Sequence, residues 1–415
     1  MSGKRASEGL GQPAWMTAPA SVAVLDALEA AGGEDCARFV GGCVRNALIG
    51  QPVADIDVAT QLTPDAVVRA LQAAGVRAVP TGVEHGTVTA VHKGHPVEVT
   101  TLRRDVETDG RRAVVAFTTD WAEDAQRRDF TLNSLYARRD GGLFDPTGHG
   151  VADALAGRIV FVGDPELRLR EDHLRALRFF RFLAWYGRGE PDAAALAAIR
   201  KLKDQVASLA AERISAELMK LLAATDPRSA VRLMAEAGVL AVALPAACDL
   251  ARLDALVEIE REGGECDPLL RLAALLPDDP SVGLAAAQAL RLSNAQRDRL
   301  AAALDPQGIR PGADAKAARA LIYRIGTEAF CDRVKLAWAK AGATDDPVGW
   351  RGLLAPARAW AVPVLPVNGT DALAAGATKG PKVGAALRAL EAWWVESDFQ
   401  PGREEALAKL RSLLA

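Results

Sequence analysis

The sequence has few aromatic residues and few cysteines, and it contains no long apolar run. Aromatic residues make up 5% of the 415 residues, whereas half of all residues are apolar and alanine is abundant, which favours a mainly helical core. The five cysteines are scattered and include no CxxC pair, so neither a disulfide framework nor a zinc site is indicated. No stretch reaches the ~18 apolar residues that a membrane span needs, and the N-terminus has no apolar signal segment. These absences predict a cytoplasmic protein without a membrane partner.

The charge balance is close to neutral. Fifty basic and 53 acidic residues give a net charge of −3. Nucleic-acid-binding proteins are more often basic, because Lys and Arg make the phosphate contacts, so the total counts mildly against such a partner. Local charge matters more than the sum, and arginines cluster at Arg103-Arg104, Arg111-Arg112 and Arg127-Arg128. The total charge therefore does not exclude RNA.

The pattern of apolar residues changes along the chain. Helical periodicity over 20–31, 44–49 and 63–74 is interrupted by a strand signal at 56–59. Residues 76–101 carry three Val- and Thr-rich alternating segments between glycine turns, which predict strands. Beyond Leu155 the strand signals fade into Ala- and Leu-rich helices. At roughly 100–200 residues per domain, the length suggests two to four domains. We therefore predict an α+β fold, with a small mixed sheet in an N-terminal head and an all-α remainder.

Two aspartates follow a glycine turn at close spacing. Residues two apart on a strand point to the same face, so Asp55 and Asp57 are predicted to aim two carboxylates at one place. Like charges that close repel each other, and Mg²⁺, which prefers oxygen ligands, relieves the repulsion. The Gly41-Gly42 turn allows backbone N–H groups to approach a phosphate, and Arg45 adds a charged contact. The glycine turn alone, or the aspartate pair alone, is weak evidence for a phosphate and metal site. The two in this order are far less expected by chance.

A second motif begins with paired arginines. In Arg127-Arg128-Asp129-Phe130-Thr131-Leu132-Asn133, the paired arginines also fit an ordinary solvated helix start. The functional interpretation gives Arg128 a triphosphate contact and places Asp129 and Asn133 on the ribose. Their four-residue separation would put Asp129 and Asn133 on one face of a helix.

A third motif is an arginine series at helical spacing. Asp172, Arg175, Arg178 and Arg181 are each three apart and would form one stripe of a helix, whereas Leu174, Leu177 and Phe182 would be buried. Such a stripe is often only a salt-bridged surface. An Asp–Arg pair, however, offers both acceptors and forked donors, which can hydrogen-bond the edge of a nucleobase.

Together these motifs resemble a known family. The ordered set FVGGCVRNALIG…DID, HGTVTAV, VEVTTLRRD…DGRR, RRDFTLNSL, EDHLRALRFFRF and ERISAEL is similar to the class II tRNA nucleotidyltransferases. That family comprises the CCA-adding enzymes and the related bacterial poly(A) polymerases. The match spans about residues 38–222, and only the helical character of the C-terminal half agrees with the family.

The resemblance implies an architecture and a division of the chain. It implies a nucleotidyltransferase head with a small sheet, followed by a helical neck, body and tail. The expected segments are a flexible N-terminus at 1–18, the head at 19–147, the neck with the nucleobase-template helix at 148–225, the body at 226–340 and a tRNA-contacting tail at 341–415.

The resemblance also implies roles for the motif residues. Asp55 and Asp57 would be catalytic and bind Mg²⁺. The remaining residues would bind the incoming CTP or ATP. In order from the phosphates to the base, they are Gly41, Gly42, Arg45, Arg128, Asp129, Asn133, Asp172, Arg175, Arg178 and Arg181. The acceptor would be tRNA rather than DNA. The sequence departs from the family at Asn46, where an aspartate is common.

Other features bear on the same reading. Glu98, in an alternating strand segment, is a candidate third carboxylate, although an outward-facing strand glutamate is as well supported. Residues 104–113 have loop composition; in the family this segment is a flexible loop needed for the switch from C to A addition, and the alternative is a simple hairpin connection. Glu212-Arg213 resembles a neck-stabilising motif. All five histidines lie at or before His173, so no fused His–Asp phosphohydrolase activity is expected.

Three alternatives to full CCA addition remain open. A bacterial poly(A) polymerase usually carries a basic C-terminal extension, whereas this tail is nearly balanced in charge and TGVEHGTVTAV resembles the CCA-adding branch. A CC-only or A-only enzyme is disfavoured by the presence of the 104–113 segment. A non-catalytic RNA-binding protein on the same scaffold is disfavoured by the retention of Asp55 and Asp57.

Overall fold

A computed structural model describes residues 9–82, 86–109, 112–247, 249–305, 307, 309–377 and 380–414. The chain divides into two compact units, Met1–Pro245 and Ala246–Ala415. Within the described residues, no helix is both long enough and apolar enough to cross a bilayer. The boundary between the units lies inside the segment predicted as the body, and the finer division into head, neck, body and tail remains a prediction.

The head is built on a seven-stranded mixed sheet. The nine strands of the described chain are β1 (Ala37–Val40), β2 (Asp57–Thr60), β3 (Arg77–Gly82), β4 (Thr87–His92), β5 (His95–Thr101), β6 (Arg103–Asp109), β7 (Arg112–Phe117), β8 (Tyr136–Ala137) and β9 (Leu143–Phe144). The sheet order is β3-β4-β5-β2-β1-β8-β9, and only the β2–β5 pair is parallel. The α+β prediction is confirmed.

Helices cover the sheet because their apolar faces need burial. The helices of the head are α1 (Pro19–Gly32), α2 (Gly42–Leu48), α3 (Pro64–Ala73) and α4 (Trp121–Gln126). Proline occupies an early position in α1 and α3, where its missing N–H costs nothing. Val24 and Leu28 of α1 and Val88 of β4 are fully buried between helix and sheet. This helix–sheet core fixes the ends of the strands that lead to the glycine turn and the aspartate pair.

The segment before α1 is packed in its described part, contrary to the flexible N-terminus predicted for 1–18. Leu10 donates its backbone N–H to Gly141 O at 2.8 Å, and Met16 is buried. The rings of Trp15 and Phe39 pack edge to face with centroids 4.9 Å apart. Phe39 belongs to β1, an interior strand of the sheet, so this packing ties the segment before α1 to the head. Residues 1–8 lie outside the described residues.

The segment 104–113 forms most of a β-hairpin rather than a loop. β6 and β7 pair antiparallel, with a register shift between Asp105 and Glu107. The sequence VVAF at 114–117 is β-branched and aromatic and favours a strand, which outweighs the charged loop composition before it. Residues 110 and 111, at the tip, lie outside the described residues.

The remainder of the first unit is helical. Its helices are α5 (Gly150–Ala156), α6 (Pro165–Glu171), α7 (Leu174–Tyr186), α8 (Ala193–Leu202), α9 (Ala211–Leu222), α10 (Arg228–Glu236) and α11 (Val239–Ala243), with a 3₁₀ helix at Lys203–Ser208. α7 packs against α9 and α10. As predicted, Leu174, Leu177 and Phe182 of α7 are buried.

The described part of the second unit contains ten α-helices. They are α12 (Leu250–Gly263), α13 (Pro268–Ala274), α14 (Pro280–Ala289), α15 (Asn294–Ala303), α16 (Ala315–Ile325), α17 (Thr327–Ala341), α18 (Pro347–Ala359), α19 (Gly369–Ala374), α20 (Pro381–Glu396) and α21 (Arg403–Leu414). The last three share a core that includes the buried Leu390 and Leu410. A fully buried ion pair joins Arg271 Nε to Glu260 Oε2 at 2.6 Å between α13 and α12.

Candidate nucleotide-binding site

The Gly41-Gly42 turn lies between β1 and α2. Gly41 has a φ of +70°, a conformation that favours glycine, and its N–H donates to Leu135 O at 2.9 Å. A Cβ at Gly41 would lie 3.5 Å from Arg128 Nη1. The first glycine is therefore favoured by backbone conformation, and the Arg128 guanidinium lies beside the turn.

A cleft of about 550 Å³ opens beside this turn. Most of the predicted site residues line it. The lining residues are Gly41, Gly42, Arg45, Asp57, Arg103, Arg127, Arg128, Asp129, Asn133, Asp172, Leu174, Arg175, Arg178, Phe182 and Arg213. Seven arginines face three aspartates, so the cleft has a positive excess that suits a polyanion such as a triphosphate.

Asp55, Asp57 and Glu98 lie together at one side of this cleft. They line a neighbouring pocket of about 360 Å³, and Asp57 lines both that pocket and the arginine cleft. Asp57 and Glu98 are paired positions on the parallel strands β2 and β5. β2 begins at Asp57, so Asp55 precedes the strand and the prediction that both lie within it is wrong. The two aspartates nevertheless line the same pocket.

The carboxylate of Asp57 is poorly stabilised by the protein alone. Burial, with the negative charges of Glu98 and Asp55, raises the pKa of Asp57 to about 6 despite the opposing charge of Arg128. Among the described residues, no three His, Cys, Asp or Glu side chains are grouped closely enough to hold a metal ion. Two carboxylates completed by substrate phosphates are a usual donor set for Mg²⁺, and a cation would relieve this repulsion. The residues present therefore fit such an ion.

Arg128 is held in place by a partner that the sequence interpretation missed. Asp124 Oδ2 accepts hydrogen bonds from Arg128 Nη2 at 2.9 Å and from the Tyr136 hydroxyl at 2.7 Å, and its Oδ1 accepts from Arg127 Nε at 2.8 Å. Burial opposes ionisation of Asp124, but the two arginines and Tyr136 lower its pKa to about 2. The spacing of Asp124 with Arg127 and Arg128, three and four residues apart, was the available signal.

Asp129 and Asn133 contact each other, but not on a helix. Only a 3₁₀ turn, Thr131–Asn133, forms, because the Thr131 N–H donates to Val160 O at 2.9 Å and holds the backbone extended at Phe130. Asn133 Nδ2 donates to Asp129 Oδ1 at 3.0 Å. Asp129 Oδ2 accepts from Arg178 Nε at 2.8 Å. The predicted helical face is therefore wrong, although the pair does line the cleft.

Arg45 is buried and bonded in several directions. Its Nη2 donates to the Tyr186 hydroxyl at 2.8 Å, and its Nε donates to Asn46 Oδ1 at 3.1 Å. Its Nη1 donates to Asn133 Oδ1. Asn46, the position that departs from the family, thus holds Arg45 through a neutral amide.

Asp172 and Arg175 meet the cleft from the junction of α6 and α7. α7 begins at Leu174, so the prediction that Asp172 belongs to the same helical stripe is wrong. Its backbone is extended, and its carboxylate accepts the Leu174 N–H at 3.1 Å and an Arg213 Nη2 hydrogen at 2.8 Å. Arg175 donates to Glu171 at 2.5 Å and to Arg127 O at 3.0 Å.

Arg181 is not among the residues that line the cleft. Its Nε is 3.0 Å from Glu217 Oε2, and its guanidinium carbon is 4.7 Å from the centre of the Phe182 ring. Glu217 on α9 was not singled out from the sequence, because its partners are remote in the chain. A role for Arg181 in nucleotide binding remains a prediction.

The fold and the cleft together define a class of protein. A glycine turn, a carboxylate pair at a strand end and an arginine-lined cleft provide phosphate binding beside a place for a cation, which is the equipment of a nucleotidyltransferase.

Comparison with known proteins identifies the family. Residues 37–160 match the family described as "Poly A polymerase head domain", and residues 190–250 match "Probable RNA and SrmB- binding site of polymerase A". The mitochondrial CCA tRNA nucleotidyltransferase 1 of Mus musculus is 34% identical over 398 residues, which cover 90% of this chain and 86% of that protein. The CCA-adding enzyme of Latilactobacillus sakei is 32% identical over 392 residues, 93% and 96% of the two chains. The chain belongs to the CCA-adding tRNA nucleotidyltransferases of the poly(A) polymerase family, which confirms the resemblance.

A solved structure agrees over nearly the whole length. The CCA-adding enzyme of Bacillus stearothermophilus in complex with CTP matches with a TM-score of 0.79 and 29% identity, covering 95% of this chain and 96% of that one. The predicted helical architecture of the C-terminal half is therefore confirmed, although no motif identified it.

Proposed function

We propose that this enzyme adds C, C and A to the 3′ end of tRNA from CTP and ATP and releases pyrophosphate. Support comes from family membership, since the relatives are named CCA tRNA nucleotidyltransferase and CCA-adding enzyme. The observation that carries the proposal is Asp57, which borders both the arginine cleft and the pocket that contains Asp55 and Glu98. We infer that the triphosphate occupies the arginine cleft, that the RNA end approaches from the pocket beside it, and that Asp57 stands between the two.

The phosphate side of the nucleotide belongs at the glycine turn. Gly41 and Gly42 present backbone at the N-terminus of α2, and the Arg128 guanidinium lies beside Gly41. Asp124 orients Arg128 from behind, so the arginine needs little rearrangement to meet a phosphate. Preorganised charge of this kind supplies most of the catalysis in phosphoryl transfer.

Asp55 and Asp57 would hold a divalent cation, which we propose to be Mg²⁺, and Glu98 lines the same pocket. When bound, the ion would lower the pKa of the RNA 3′-hydroxyl and neutralise charge on the triphosphate. The protein's own part is to place Asp57 at the border between the two pockets, with Asp55 in the smaller pocket beside it. The arginines then hold the nucleotide so that its α-phosphorus faces the 3′-hydroxyl, and pyrophosphate departs toward the cleft.

The base of the incoming nucleotide belongs near the start of α7. Asp172 and Arg175 line the cleft there and offer acceptors and donors, so they are suited to read the Watson–Crick edge of cytosine or adenine as a protein template. Both side chains already have protein partners, Arg213 for Asp172 and Glu171 for Arg175. We propose that these partners fix the orientation in which the two groups meet the base.

The acceptor is tRNA, and DNA is not expected to serve. We place the reaction in the cytoplasm, as composition suggested; the Mus musculus relative is named as mitochondrial. Localisation of a tagged chain in its own cell would decide between the two.

The decisive experiment measures product length. tRNA lacking its three terminal nucleotides is incubated with Mg²⁺, CTP and ATP, and the products are resolved at single-nucleotide length. Addition of three residues is expected, and Asp55→Ala should abolish incorporation. A long A tract would assign the activity to poly(A) polymerase, a stop after two C residues would indicate a CC-only enzyme, and addition only to an RNA ending in CC would indicate an A-only enzyme. No incorporation by wild type would leave an RNA-binding protein.

A further inference from the structure

A closed series of hydrogen bonds joins the head to α7. It runs from Tyr186 to Arg45, Asn133, Asp129 and Arg178, and we call these five residues the Arg45 clamp. The Tyr186 hydroxyl accepts from Arg45, Arg45 donates to Asn133, Asn133 donates to Asp129, and Asp129 accepts from Arg178. The series begins and ends on α7, at positions eight residues or ~12 Å apart along the helix.

Arg45 is committed to this clamp. Its bonds to Tyr186, Asn133 and Asn46 occupy at least four of the five N–H donors of a guanidinium, so at most one remains for the cleft. Because Arg45 is also buried, the position of each hydrogen-bond partner matters more than it would for an exposed guanidinium. Other arginines of the cleft therefore make most of the direct contacts with a triphosphate in this proposal. Arg45 instead connects the glycine turn to α7.

Tyr186 holds Arg45 in two ways. Its hydroxyl oxygen lies 2.8 Å from Arg45 Nη2, and its ring centre lies 4.0 Å from the Arg45 guanidinium carbon. Tyr186 is the last residue of α7 and is not among the residues that line the cleft. Its contact with Arg45 spans 141 positions of sequence, and no motif includes it.

We propose that Tyr186 is a positioning residue that, through Arg45, fixes the distance between the phosphate-binding turn and the base-reading start of α7. This inference rests on the proposed function. A nucleotide bound between the two must match that distance, so a loosened clamp weakens binding of CTP and ATP. Asp55 and Asp57 lie outside the clamp, so the chemical step on a bound nucleotide is spared.

The test compares Tyr186→Phe with wild type. This variant retains the ring and removes the hydroxyl that bonds Arg45. Because the hydroxyl acts on the nucleotide only through Arg45, its removal should cost less than a direct hydrogen bond to a charged group and raise KM for CTP and for ATP about five- to tenfold, with kcat within about twofold. Binding of CTP without tRNA should weaken by the same factor. Trp185→Phe is the matched control, because Trp185 is the neighbouring residue and donates instead to Lys220 O at 2.7 Å.

The outcomes separate positioning from packing and from chemistry. The inference is overturned if Tyr186→Phe matches wild type in CTP binding and KM, or if it lowers kcat without changing KM. It is equally overturned if Trp185→Phe weakens CTP binding as much, because the effect would then follow any disturbance of the end of α7. Thermal unfolding of both variants verifies that each is folded. If wild type shows no CCA addition, the proposed function fails, whereas CTP binding by the three proteins still tests the clamp.

Discussion

At the scale of single residues, Asp57 is proposed to serve activity while it lowers the stability of the folded protein. Its pKa is raised to about 6 by burial and by Glu98, so ionisation is harder in the folded protein than in the unfolded chain. By linkage, the free energy of unfolding therefore falls as pH rises from about 4 through 6, and the loss is complete above that range. The proposed cation site would account for a destabilising carboxylate at this position.

Replacing Asp57 should therefore separate the two properties. Asp57→Asn is expected to abolish nucleotidyl transfer and, in metal-free buffer at pH 7.5, to stabilise the protein by on the order of 1–2 kcal/mol after allowance for solvent screening. The gain should shrink as pH falls from 6 to 4, where wild-type Asp57 becomes protonated. Urea unfolding in the presence of a chelator measures it. A variant that is less stable than wild type at pH 7.5 would show that Asp57 is satisfied by other contacts.

Other residues of the site differ in how far the sequence could reveal them. Gly41, Asp57 and Arg128 belong to local motifs, and the cleft brings them together. Asp124 stands at helical spacing before Arg128, so its support of that arginine was readable in principle. Tyr186 was not, because its contact with Arg45 exists only after the head and α7 have packed together. Local spacing predicts the residues that line the cleft better than those that orient them.

At the scale of elements, periodicity predicted helices and strands well and their ends poorly. The Arg175–Arg178–Arg181 spacing identified α7, but Asp172 lies two residues before the first residue of that helix, where its side chain accepts the Leu174 N–H. Thr131 lost its predicted helix to a backbone bond with Val160, 29 positions away. Such competition comes from tertiary contacts, which propensity does not include.

The β6–β7 hairpin is the element whose removal should change the product. Its base is tied to the sheet, since the Thr118 N–H donates to Leu102 O at 2.9 Å, and Arg103 at its start lines the cleft. Joining Arg104 to its strand partner Ala116 by a two-glycine turn would preserve that base. We expect the variant to add two C residues at near the wild-type rate but to add A poorly, as the family resemblance implies for this segment. The same variant's C incorporation is the internal control, and unimpaired A addition would exclude this role.

At the scale of the whole molecule, function is unevenly distributed along the chain. Every residue that lines the arginine cleft, and both aspartates proposed to hold the cation, precede Pro245, the end of the first unit. The net charge of −3 says little, because the seven arginines of the cleft are offset elsewhere in the chain. The second unit has its own buried core, and no motif in its sequence indicated chemistry.

A fragment of residues 1–245 should therefore keep CTP binding and lose most of its hold on tRNA. Because it contains every residue that lines the cleft, together with the head core, we expect it to bind CTP within about threefold of the full chain, since changes remote from a site usually act independently of it. CCA addition to tRNA should fall much further, since residues 341–415 are predicted to contact tRNA. Cooperative thermal unfolding must first establish that the fragment is folded. A folded fragment that fails to bind CTP would mean that the second unit helps to form the nucleotide site, and undiminished CCA addition would show that the tail is not needed to hold tRNA.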